Sequence, residues 1–336
     1  MGSPSSMALA ERNGPERNSH EDRRSAAKIA DKRRKIITLV LVSLGFLALL
    51  YPVVSTQFNN QRQAAIAARY DEVLKEVPQE VRSETLERAR EYNRNDLHSG
   101  PILDPWLARI TPDNTDYQQY LGQLNAAEAM VRLRIPDIGV DLPVMHGTAP
   151  HTLEHGVGHL FGSALPVGGE GTHSVLTGHT GLANATLFDN VSKLNEGEAF
   201  YIQVMGETLK YEIDQVKVVR PDETDDLRPV AGRDLVTLVT CTPYGINTHR
   251  LLVRGTRVPL EKEDTQRIEE AKASVWQWWM TAILVAIIVL LILLAWLFAR
   301  AWRPKTEEDN EVVDQANGSG YPSEHFAHDD EENLNG

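Results

Sequence analysis

Cysteine is almost absent. Among 336 residues only Cys241 carries a thiol, which excludes a disulfide framework and leaves no second thiol to complete a metal site. Charge is absent from two long stretches. Residues 36–54 (IITLVLVSLGFLALLYPVV) form an uncharged run of 19 residues, about 28 Å long as a helix and enough to span a bilayer. Residues 275–299 form a second such run, with Trp276, Trp278 and Trp279 at its leading edge as an interfacial belt would have them. Three further absences narrow the function. No basic patch is interleaved with aromatics, which argues against nucleic-acid binding. There is no internal repeat, and no strand–helix alternation to suggest a parallel α/β sheet. The net charge of −13 owes much to an acidic tail, with Glu307 to Asp309 and Asp329 to Glu332 as its clusters, so it says little about a substrate.

The flanks of the two runs give an orientation. Lys28, Lys32, Arg33, Arg34 and Lys35 precede the first, and Arg300, Arg303 and Lys305 follow the second. The positive-inside tendency puts both termini in the cytoplasm and the region between the runs outside. A cleaved signal peptide is the competing reading of 36–54, but its basic leader is long and Tyr51-Pro-Val-Val-Ser55 is a poor cleavage site. The expected division is a disordered tail at 1–35, a transmembrane signal-anchor at 36–55, a helical segment at 56–98, a loop at 99–110, a folded domain at 111–262, a transmembrane helix at 275–299 and a disordered acidic tail at 300–336.

Within the outer region, 57–95 has helix-forming composition, broken at Pro78, with Ser83 and Glu87 as a start signal for a second helix. This segment can be a stalk or a cap packed on the domain. The loop that follows holds Asp104-Pro105-Trp106, stiffened by two prolines. It can be an ordinary linker or a plug that presents an acid beside an aromatic. Short β-runs at 131–135, 140–144, 172–177, 199–204, 208–220, 235–240 and 251–258 are separated by Gly and Pro turns. They predict an all-β fold with helical additions, an antiparallel sandwich or a closed barrel.

In an outward-facing domain an unpaired cysteine is intermolecular or reactive. Cys241 ends a β-branched strand, and Arg250 starts the next one beyond a Pro-Gly-Asn loop. A thiol needs a base to withdraw its proton, and a developing oxyanion needs a cation. His179, in Ser174-Val-Leu-Thr-Gly-His-Thr-Gly-Leu182, also ends a strand. His249 neighbours Arg250 and should point to the opposite face. His151, His155 and His159 mimic a metal spacing, but Gly156 and Gly158 break the helix that would align them, so they read as loop or surface histidines. The bland alternatives are Cys241 as a buried small hydrophobe and Arg250 as a surface ion-pair residue.

These residues carry a resemblance. Thr237-Leu-Val-Thr-Cys241 is similar to the TLxTC motif of sortases, Arg250 fits their active-site arginine, and Leu176-Thr-Gly-His179 resembles the strand end bearing their histidine. The longer runs TLVTCTPYGINTHRLLVRG and GVGH…SALPVGGEGTHSVLTGH, with the carboxy-terminal span, resemble the pilin-polymerising group, class C. Asp104-Pro-Trp106 resembles the lid of that group.

The resemblance implies a closed sortase-type β-barrel with an N-terminal helical segment and lid, flanked by two transmembrane helices of a Gram-positive cell. It implies catalytic His179, Cys241 and Arg250, a lid in which Asp104 pairs with Arg250 and Trp106 covers Cys241, substrate contacts at Thr240 and Leu176, and no cofactor or metal. Cys241 would cleave an LPXTG-type sorting signal between Thr and Gly, and a pilin lysine amine would accept the acyl group. Two alternatives stay open: a wall-anchoring sortase with a peptidoglycan precursor as acceptor, and a non-enzymatic membrane scaffold or adhesin with Cys241 structural.

Overall fold

A computed structural model describes residues 15–97, 102–106, 113–271 and 276–301. The chain divides into two units, 1–283 and 284–336. The first holds eight strands: β1 (Val131–Ile135), β2 (Val140–His146), β3 (Val157–His159), β4 (Thr172–Thr177), β5 (Ala199–Val204), β6 (Glu207–Val219), β7 (Asp234–Thr242) and β8 (His249–Val258). They close into a barrel in the order β1-β2-β3-β4-β7-β8-β6-β5, with β1 against β5 as the seam. The fold is the expected closed barrel. Seven of the strands match the predicted runs to within two residues at each end. β3 was not foreseen, because three residues are too few to show alternation. The barrel is also not wholly antiparallel: β2–β3 and β4–β7 pair in parallel.

The interior follows from alternation, since every second side chain of a strand points inward. Leu133, Phe200, Ile202, Tyr211, Leu238 and Val253 meet in one buried cluster. Phe200 and Tyr211 are direct partners across β5 and β6, their rings stacked at 5.6 Å. Gly255 of β8 lies against them, and a Cβ there would come within 2.7 Å of the Phe200 ring. The closeness of that approach is why the position carries no side chain.

Helix α1 (Pro15–Glu76) is one continuous element. Its described part within 15–35 is helical, which corrects the expected disorder there. Ala-, Arg- and Lys-rich sequence favours helix, and Asp31 pairs with Arg34 and Lys35 one turn on. Beyond the apolar run, Val53, Thr56, Asn60, Gln63, Ala67, Tyr70 and Leu74 are buried at alternating spacings of three and four, a stripe that faces the barrel. Tyr70 donates to the Met130 carbonyl at 3.2 Å, and Arg132 of β1 binds Asp71 of the helix. Of the two readings of this segment, the cap is the one observed.

Helix α2 (Gln79–Asn95) starts at Pro78, with Ser83 inside it rather than at its start. Asn93 holds the barrel by a reciprocal pair, donating to the Leu165 carbonyl at 3.0 Å and accepting from its N–H at 2.8 Å. Three shorter helices follow: α3 (Thr115–Leu121), α4 (Pro150–His155) and α5 (Lys262–Glu270). The last helix, α6, is Trp278–Ala301. By length and composition α1 and α6 can each cross a membrane. The tail from 302, the first fourteen residues, and 98–101, 107–112 and 272–275 lie outside the described residues, including parts of the expected loop at 99–110 and His98.

Candidate active site

The β7–β8 ladder sets Cys241 directly opposite Arg250. On the other flank β4 runs parallel to β7, with Thr177 opposite Val239 and the Gly178 N–H donating to the Val239 carbonyl at 3.1 Å. His179 follows two residues beyond Thr177, just past the end of β4, as Cys241 follows two residues beyond Val239 in β7. Thr240 locks this end, its hydroxyl donating to the Gly178 carbonyl at 2.7 Å and bonding Thr180 at 2.6 Å. A cysteine and a histidine 62 residues apart in sequence thus come from adjacent strands, with the arginine on the third.

The face is the outside of the barrel. Cys241 shares its side of β7 with Val239, while Leu238 points into the core. Val239, Val175, Leu252, Leu160, Val219 and Leu227 form a second apolar cluster, on which Ile102 and Trp106 pack. The same parity places the two residues expected to contact substrate. Leu176 is fully buried in the barrel interior, and Thr240 is buried and engaged in fixing the histidine loop. Val175 and Val239, one residue before each, occupy the groove side. Alternation counted back from Cys241 carried that signal.

Residues 102–106 fill the groove. Asp104 grips the guanidinium of Arg250, with Nε donating to Oδ2 at 2.6 Å and Nη2 to Oδ1 at 3.2 Å. Both side chains are buried. Trp106 stands between the other two polar groups. Its indole N–H donates to Nδ1 of His179 at 3.4 Å, and the Arg250 guanidinium lies 4.6 Å from its ring centre. The Thr148 hydroxyl donates to the Pro105 carbonyl at 2.8 Å, an anchor the sequence did not reveal. Cys241 is 8% exposed beneath this arrangement.

The electrostatics suit a resting state. Burial pushes the Cys241 thiol up; Arg250 opposes this and the Asp104 carboxylate adds to it. Burial pushes His179 down, with Glu154 opposing. Both effects favour the neutral thiol and neutral imidazole. A ring that accepts at Nδ1 carries its proton on Nε2.

The remaining histidines are set apart. His249 lies beside Arg250 and bonds Thr248. His151 and His155 sit on α4, but His159 is on β3 and fully buried, where it bonds Tyr120, Ser163 and the Ala164 carbonyl. That corrects its reading as a loop or surface residue: a histidine can be buried when both ring nitrogens find partners.

A sortase-domain family profile matches residues 133–258. The chain is 32% identical over 159 residues to sortase D of Bacillus subtilis, covering 46% of this chain and 77% of that protein. The chain belongs to the sortase family. Its fold matches the crystal structure of sortase C-1 from Actinomyces oris at 57% identity and a TM-score of 0.52, over 54% of this chain and 99% of that one. It also matches a lid mutant of sortase A from Corynebacterium diphtheriae at 48% identity and a TM-score of 0.52, over 56% and 100%. This sortase is of class C, a cysteine transpeptidase. Family membership sets aside the non-enzymatic scaffold.

Proposed function

We propose that this sortase is held in the cell membrane by two spans, with its barrel outside and both termini in the cytoplasm, and that it polymerises pilins. Once residues 102–106 withdraw, His179 takes the proton of the Cys241 thiol, and the thiolate attacks the threonine carbonyl carbon of an LPXTG-type signal. Arg250, opposite Cys241 in the ladder, meets the developing oxyanion with fixed donors. The C–N bond breaks, the leaving glycine amine takes its proton from the His179 imidazolium, and a thioester remains on Cys241. A pilin lysine amine then attacks the thioester and gives its proton to His179. The C–S bond breaks, leaving an isopeptide and a free thiolate.

The carrying observation is the register that brings Cys241, Arg250 and the end of β4 together. The match to a sortase C from Streptococcus pneumoniae whose description names pilin substrate specificity supports a pilin as partner. Residues 102–106 act as a lid, because Asp104 occupies the donors of Arg250 and Trp106 occupies an imidazole nitrogen. A solved relative described as a lid mutant agrees with that reading.

The test incubates the detergent-solubilised chain with a fluorogenic LPXTG peptide and a purified pilin bearing its acceptor lysine, with Cys241→Ala as control. Peptide cleavage and pilin ladders that both vanish in the control support pilin polymerisation. Cleavage with transfer only to a peptidoglycan precursor replaces it with wall anchoring.

A further inference from the structure

The loop that carries His179 is held from two sides, and one of them is the helix that runs on from the apolar segment. On the barrel side Thr240 bonds the Gly178 carbonyl, the Phe188 N–H donates to the His179 carbonyl at 3.0 Å, and the Gly181 N–H donates to Asp189 at 2.8 Å. On the helix side three side chains of α1 reach the same loop. Thr56 donates to the Ala183 carbonyl at 3.3 Å, and Asn59 to the Asn184 carbonyl at 2.8 Å. Asn60 makes a reciprocal pair with one residue, its amide N–H donating to the Thr186 hydroxyl at 2.8 Å while its oxygen accepts from the Thr186 N–H at 3.1 Å.

These contacts are built rather than incidental. Asn60 and Thr186 are 7% and 8% exposed, and a buried amide left without partners costs more than its bonds return. Thr56 and Asn60 also belong to the buried stripe of α1, so the side chains that hold the loop are themselves held by the barrel. They follow directly on residues 36–54 and lie within about 9 Å of the end of that run at the helical rise.

We propose that the turn of α1 containing Thr56, Asn59 and Asn60 is a positioning element for His179, coupling the geometry of the thiol–imidazole pair to the membrane-proximal end of the first span. This rests on the reading of His179 as the acid–base and of 36–54 as a span. The loop bears the residue whose ring must meet both the thiol and the leaving amine. A displacement of about 1 Å in such a group costs up to roughly a hundredfold in rate.

The test uses the full chain in phosphatidylcholine–phosphatidylglycerol vesicles. Two readouts are taken: kcat and KM for LPXTG peptide cleavage, and the pH profile of Cys241 alkylation by iodoacetamide in an Asp104→Ala/Trp106→Ala background, which needs no substrate. Asn60→Ala leaves the Thr186 N–H and hydroxyl without their partner and should lower Tm by a few degrees; at a temperature where it stays folded it should lower kcat about tenfold with KM unchanged, and should shift the imidazole-dependent limb of the alkylation profile. Asn59→Ala, at an exposed contact that cannot unfold the barrel, should lower kcat about threefold. Asn60→Asp keeps the oxygen that accepts from Thr186 and should recover part of the loss. The proposal is overturned if both readouts are unchanged in Asn60→Ala and Asn59→Ala, or if kcat falls only in proportion to the fraction of protein unfolded at the assay temperature. If the wild type cleaves no peptide, the functional reading fails, and the alkylation profile still decides the positioning role.

Discussion

Asp104 holds both the Nε and Nη2 donors of Arg250, although 146 residues separate them in the chain. The same arginine stands opposite the cysteine in the ladder, so the loop occupies the cation next to the thiol. Replacing Asp104 and Trp106 together by alanine should expose the thiol. Alkylation of Cys241 should quicken at least tenfold, about 1.4 kcal/mol of closure removed. Removing the carboxylate should also move the thiol's titration downward, since Asp104 is one of the groups that raise it. Unchanged labelling kinetics would show that residues 102–106 do not guard the groove.

Arg250→Lys keeps the charge and loses the planar fork. If fixed donors at the oxyanion matter, kcat/KM for the sorting peptide should fall by roughly 10²–10³. A loss of less than twofold would remove Arg250 from that role.

Acid should weaken the barrel. Burial drives His159 and His173 from their ordinary 6.5 to about 4, so the unfolded chain binds protons in that interval that the native state refuses. Their contribution to stability is present above about 6.5 and is lost as pH falls towards 4. Asp189, raised to about 6 by burial, acts in the opposite sense between 6 and 3.8. Two histidines against one carboxylate leave a net loss on the order of 4 kcal/mol at about 1.4 per pH unit. Thermal melts at pH 7, 5.5 and 4 check this. A Tm that is flat or rises on acidification would contradict it, and His173→Gln should flatten the slope.

Gly255→Ala tests the packing beneath the ladder. Its Cβ would press on Phe200 at 2.7 Å and on the Tyr211 Cβ at 2.9 Å. A loss of about 1–3 kcal/mol is expected in denaturant unfolding, since an overfilled core must move backbone or rings.

Strand positions were legible because each run alternates or is β-branched between breakers, as in Leu209 to Val218 of β6. The placement of Cys241, His179 and Arg250 near strand ends was legible because Gly, Pro or Asn follows or precedes each run closely. The pairing of β4 with β7 was not, since nothing local in 172–177 says which distant run will lie beside it. Thr148 and Asn60 escaped for the same reason: each bonds a residue far along the chain, 43 positions away for Thr148 and 126 for Asn60. Motif membership does not say which face Leu176 or Thr240 takes, whereas counting by twos from Cys241 does.

The parallel register of β4 and β7 also makes the meeting of the thiol with the end of β4 a long-range event. Parallel neighbours cannot meet through a short hairpin, and here β5 and β6 intervene in the chain. The short cysteine motif alone therefore carries no site: a fragment without 172–177 keeps the thiol and loses the strand that flanks it.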